Sequence, residues 1–264
     1  MATQAWTEER SLSIGTVLSR TFGTLGDNPV ATFGIAFLFG ALPQLLYSYF
    51  IASSLVAADG AAALGTVAMS SGSSIIFLLL SMLVQGALVR ATIAHADGQR
   101  ASLAQCIGTG LSVALPLIGL SILMLLGVMA GFLLFFIPGV ILFLMWSVAV
   151  PSLVAEGQGV FAAFGRSRFL TKGARWKIFG LQLVLLVLIS VFSAIYAAIL
   201  LAGGMASATA LEGVARLSPL VLIFSAVSNT LVIAFWSTAQ ANLYIGLREW
   251  KDGPQTGKLA EIFS

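Results

Sequence analysis

The residues able to carry chemistry are few, and their types exclude most reactions. One histidine, His95, and one cysteine, Cys106, occur in 264 residues. A lone imidazole cannot build a two-histidine metal site, and a lone thiol cannot close an internal disulfide. The carboxylates Asp97, Glu156, Glu249 and Asp252 stand at the ends of apolar runs rather than inside them. No positioned acid and base or nucleophile is therefore expected within those runs. His95 beside Asp97 reads as a solvated boundary residue rather than a catalytic base. Catalytic residues, a metal and a cofactor are all expected to be absent.

Two other constellations remain. From Arg166 to Lys177 the chain carries five positive charges, Arg166, Arg168, Lys172, Arg175 and Lys177, with Trp176 among them. Near an anionic leaflet each Lys or Arg is worth about 1 kcal/mol, so such a segment can hold a phospholipid headgroup, or simply anchor and orient the chain. Ser225, Asn229, Ser237, Gln240 and Tyr244 recur at steps close to three or four along one apolar run and share a helical face that continues to Arg248. Such a face points into a bundle. There its neutral groups either hydrogen-bond neighbouring helices or line a substrate path. Gln44, Gln85 and Gln182 lie in other runs and could pair across helices in the same way.

The elements that must position these groups are membrane helices. Hydrophobic residues make up 59% of the chain and charged residues 9%, against roughly 25% charged in soluble domains. At about 20 apolar residues per crossing, the pattern predicts an all-α, integral membrane six-helix bundle in a single domain, 1–264. The spans are expected near 30–57, 73–95, 113–136, 139–155, 176–202 and 217–246. The third and fourth form one apolar stretch too long for a single crossing. Pro138 and Gly139 are read as the turn of a helical hairpin, the alternative being a kink in one tilted helix. Pro43 and Pro151 are expected to shape the bundle as hinges. Gly127 and Gly131, and Ala36 with Gly40, are spaced for close helix packing within one chain or between copies.

Sidedness follows from the basic residues. Six crossings put Arg10, Arg20, Arg90, Arg100, Arg166, Arg168, Lys172, Arg175, Lys177, Arg248, Lys251 and Lys258 on one side, and only Arg216 on the other. This asymmetry predicts that both termini are cytoplasmic, in a bacterial inner membrane. A simple kink at Pro138 would instead split the basic segments between the faces. Residues 1–28 lack the pattern of a cleaved signal peptide, so the first span is expected to serve as a signal anchor.

Three cytoplasmic segments, 11–27, 102–112 and 159–173, mix apolar with small or polar residues ahead of a span, as interfacial helices do. In the third, Phe161, Phe164 and Leu170 are expected to face the acyl boundary. Ile14, Val17, Leu18 and Phe22 offer a similar face in the first. The recurrence hints at a threefold repeat of interfacial segment plus hairpin; independent short loops explain it equally well.

The run from Ile137 to Gly157, the segment from Ala162 to Gly173 and the entry Arg175-Trp176-Lys177 together resemble the bacterial membrane domain fused to some glycerophosphodiester phosphodiesterases, and its stand-alone multi-pass relatives. The shared order is P-G, an apolar run, P, E, R-S and K-G. The resemblance implies a six-helix membrane module. It does not imply phosphodiesterase activity, which in that family resides in a soluble barrel with histidines and acidic metal ligands.

The function expected is thus non-enzymatic: lipid interaction or partner scaffolding at the cytoplasmic leaflet. A small transporter or lipid-translocating protein using the polar face of the sixth helix is the alternative. Expected partners are membrane phospholipids, anionic ones in particular, and a membrane-protein partner or second copy; nucleic acid is not expected.

Overall fold

The computed structural model describes residues 13–47, 49, 84–94, 108, 112–202 and 219–253. The described residues are helical, with no strand among them. Helix α1 is Ile14–Asp27, and α2 begins as Pro29–Ile35 and continues to 47. Residues 84–94 form α3. Then follow α4 (Ala114–Leu134), α5 (Phe136–Met145), α6 (Ala149–Glu156), α7 (Val160–Thr171), α8 (Arg175–Ala202) and α9 (Pro219–Asp252).

Four stretches are long and apolar enough to cross a membrane: Ala114–Leu134, Phe136–Glu156, Arg175–Ala202 and Val221–Asp252. The bent pair Ile14–Asp27 and Thr32–Tyr47, which turns by 85°, makes a fifth if counted as one span. The expected count was six. The expected span 73–95 is described only over 84–94, and of the expected interfacial segment 102–112 only 108 and 112 are described. Arg10, His95, Asp97, Arg100, Cys106, Arg216 and Lys258 lie outside the described residues.

Local chemistry explains the breaks. Asn28 separates α1 from α2, and Pro29 opens α2 at a position where a helix needs no N–H donor. Within α2 the backbone widens to a π turn over Ala36–Ala41, and Leu42 N–H bonds back to the Phe37 carbonyl. Pro43 follows directly. A π turn beside a proline absorbs the missing donor and the ring's bulk, so the helix runs on through Pro43 to 47.

The α4–α5 hairpin reverses at Phe135, whose backbone is extended (φ −163°, ψ 155°). Pro138 and Gly139 lie just inside α5 instead of forming the turn. Proline's lack of a donor costs nothing in a first helical turn, so the reversal precedes it. Gly139 serves close approach: a Cβ there would fall 2.5 Å from the Phe132 ring, and one on Gly131 would fall 2.9 Å from Gly139 Cα. Gly127 faces Trp146 in the same manner, at 2.5 Å. The paired glycines of α4 therefore pack within the chain, against α5 and the turn after it. Gly40 likewise meets Ile233 of α9 at 2.8 Å.

A second break, Trp146–Val148, divides the span Phe136–Glu156. Pro151 sits in the first turn of α6, and at the break Ala149 N–H bonds to the Trp146 carbonyl at 3.0 Å, leaving the Met145 carbonyl without its helical donor. The Met145 carbonyl turns instead to α7, accepting from Ser167 Oγ at 2.8 Å and Thr171 Oγ1 at 3.3 Å. Helix α7 thus folds back along α6 and caps its break. Gly157, left-handed at φ 62°, ends α6.

One core joins α1, α3, α4, α6, α7, α8 and α9 through Val17, Val89, Leu117, Leu153, Leu170, Ile178, Leu185 and Leu247. Large apolar side chains such as Leu126, Leu133, Leu186 and Leu201 point outward, as lipid-facing residues do in a membrane helix. Leu170 and Phe164 do not face outward as the sequence suggested. Leu170 is fully buried, and Phe164 packs at a tilt against Trp146 with ring centroids 4.9 Å apart. Their places are taken by Phe161 and Phe169, with Trp176 beyond them the most exposed, at 86%. In α1, Val17 is buried and Ile14 and Leu18 pack on the core, leaving Phe22 outward.

Candidate functional site

Charged side chains of α1, α6, α7 and α9 meet at one end of the bundle. Glu156, the last residue of α6, is the hub. Its Oε1 accepts from Arg166 Nε at 2.7 Å and from the Tyr244 hydroxyl at 2.8 Å, while Oε2 accepts from Gln158 Nε2 at 2.6 Å. Arg166 also engages Asp252, through both terminal nitrogens. The side chains of Arg166 and Glu156 are only 20% and 17% exposed. Hydrogen bonding to Asp252 outweighs the cost of burial and, with Glu156, holds the Arg166 guanidinium even more firmly protonated than usual. A carboxylate at a helix C-terminus opposes the helix dipole, and the arginine removes that conflict. Arg20 of α1 and Glu249 of α9 form a second, exposed pair at 2.9 Å.

Arg166 is thereby separated from the other cations of its segment. Arg168, Lys172 and Arg175, with Gly173 and Trp176, line a hollow of about 380 Å³. Among the described residues no carboxylate lines it. Gly173, at φ 90°, makes the sharp α7–α8 connection that brings the end of α7 beside the start of α8, and Trp250 packs 3.4 Å from the position of its missing Cβ. Arg175 Nε is buried without a hydrogen-bond partner, a cost of about 1–3 kcal/mol. Lys177 is exposed and is not among the residues lining the hollow. Of the five cations read as one cluster, three share a hollow and one holds helices together.

The polar series of α9 is divided in a similar way. Ser225 donates to its own helix, to the Leu222 carbonyl at 2.8 Å. Asn229 Nδ2 donates to Gln44 Oε1 of α2 at 3.0 Å. Ser237 is buried. Gln240 and Gln182 of α8 exchange amide hydrogen bonds at 3.1 and 3.3 Å. Tyr244 reaches Glu156. Buried Thr238 and Asn242 escaped the sequence reading: Asn242 Nδ2 bonds back to the Thr238 carbonyl, and Thr238 Oγ1 has no partner. The docking of Ser167 and Thr171 on Met145 was also missed. Its trace was the four-residue spacing of Ser167 and Thr171.

Among the described residues no group of three or more His, Cys, Asp and Glu side chains is placed to hold a metal ion. No protein-family model, curated protein or solved structure matches the chain.

Proposed function

We propose that the chain is a non-enzymatic, multi-pass protein of the bacterial inner membrane that binds anionic phospholipid at its cytoplasmic face. In this reading it has six spans and cytoplasmic termini, and α1 and α7 lie at the interface. The observation that carries the proposal is the hollow of Arg168, Lys172 and Arg175, three cations with no carboxylate among the described lining residues, beside an arginine already neutralised by Glu156 and Asp252. Exposed Phe161, Phe169 and Trp176 on the same segment would enter the acyl boundary while the cations meet phosphate. At about 1 kcal/mol per cation, three suffice for selective retention of anionic lipid. Transport along the α9 polar face has less support, because Asn229, Gln240 and Tyr244 spend hydrogen bonds on Gln44, Gln182 and Glu156.

Native mass spectrometry of the purified full chain with phosphatidylglycerol and phosphatidylcholine tests this reading. Wild type should retain the anionic lipid preferentially, and the combined variant Arg168→Gln, Lys172→Gln, Arg175→Gln should lose that preference. Equal retention of phosphatidylglycerol by both proteins would falsify the proposal.

A further inference from the structure

A second cavity, of about 400 Å³, lies between α3, α4, α8, α9 and the α5–α6 break. Trp146 of the break is in its wall, and the neighbouring Met145 carbonyl is held by Ser167 and Thr171 of α7. Irregular backbone in a membrane protein occurs where it is buried in protein or lines a cavity. Here Trp146 and Ser147 of the break both line the space.

Among the described residues none of the lining side chains is ionisable. A charged guest would find no counter-ion among them, which is costly in a largely apolar pocket. The Gln85 amide and the Ser121 hydroxyl can donate or accept, while the two indole N–H groups only donate. The Gln85 side chain, the Ser121 hydroxyl and the indole N–H groups of Trp146 and Trp236 make no hydrogen bond among the described residues. Gln182 and Gln240 use one amide N–H each on one another, leaving the second N–H of each free. Exposed Ile122 and Leu125 of α4 also line the space, giving it an apolar margin toward the bilayer.

We infer that this cavity binds an uncharged amphiphile whose head carries carbonyl oxygens, its tail passing out beside Ile122 and Leu125. The carbonyls accept from Gln85, Ser121 and the spare amide N–H groups, and the indoles flank the head. Ester carbonyls of a diacylglycerol and ring carbonyls of a quinone offer this same chemistry.

The test uses the full chain in nanodiscs, with dioctanoylglycerol and decylubiquinone as separate probes and bound probe counted by native mass spectrometry. One probe should bind wild type. Binding should weaken about tenfold, the worth of roughly 1.4 kcal/mol, in Gln85→Leu, which removes a donor, and at least as much in Ser121→Leu, which fills the space. Because Gln85 has no partner to lose, Gln85→Leu should keep or raise the Tm, separating lost binding from lost folding. The combined Arg168, Lys172 and Arg175 variant should bind the probe as wild type does. Preference for dioctanoylglycerol assigns an ester head and preference for the quinone a ring dione. Binding of neither probe, or equal binding by wild type and both cavity variants, overturns the inference.

Discussion

Arg166 and Arg168 stand two residues apart on α7, yet they belong to different parts of the molecule. Arg166 turns inward to Glu156 and Asp252 and ties α6, α7 and α9 together. Arg168 turns outward and joins Lys172 and Arg175 around a hollow that no carboxylate lines among the described residues. The difference shows that a basic segment at a membrane boundary need not act as one patch. Charges with protein partners are spent on architecture, and only those without remain for a ligand. Helical rotation makes the division, since neighbours two apart face different sides.

The largest expected effect comes from breaking the inward cluster. Glu156→Ala leaves Arg166 with one carboxylate and the buried Tyr244 hydroxyl with no acceptor. Full burial would place the cost at 3–5 kcal/mol; with these side chains about one-fifth exposed, about 2–3 kcal/mol is expected. Unfolding in a denaturing detergent series checks this. A change below about 0.5 kcal/mol, the usual range for plain surface substitutions, would show that the cluster is not structural.

The outward cluster should respond in the opposite sense. Replacing Arg168, Lys172 and Arg175 by glutamine is expected to lower affinity for phosphatidylglycerol by about 2 kcal/mol, near thirtyfold, with little change in unfolding. Raised salt should mimic the substitution, because partly exposed charges are screened within about 10 Å at 0.1 M.

A smaller effect comes from a site remote from both clusters. Gly131→Ala puts a methyl against Gly139 Cα, so the α4–α5 hairpin must spread, at about 1–2 kcal/mol. Lipid retention should be unchanged. A lipid effect from this variant would mean that the hollow depends on general packing rather than on its three cations.

The sequence made the helices legible because apolar runs of spanning length need no tertiary knowledge. It also gave the existence of the α4–α5 hairpin, through the proline and the length of the run. The exact reversal at Phe135 was not legible, since Pro138 fits both a turn and a first helical turn. The glycine spacing in α4 was visible, but its partners, Trp146 and Gly139, are set by how the hairpin closes. The Arg166 cluster was hidden for a similar reason: Glu156 and Asp252 are far apart in the chain, and each reads alone as a solvated boundary charge. Leu170 was misassigned because an apolar residue beside cations suits either a leaflet or a core. Only the docking of α7 on the α5–α6 break decides between them.

The central claim is the division of labour along α7, and titration of fluorescent phosphatidylglycerol into nanodisc-embedded protein tests it most directly. The comparison is between Arg166→Gln and the combined Arg168, Lys172 and Arg175 variant, well below the Tm of both. The account predicts that Arg166→Gln binds the lipid within about twofold of wild type, a difference under 0.5 kcal/mol, while the combined variant binds about thirtyfold more weakly. Loss of binding by Arg166→Gln as large as that of the combined variant would contradict it.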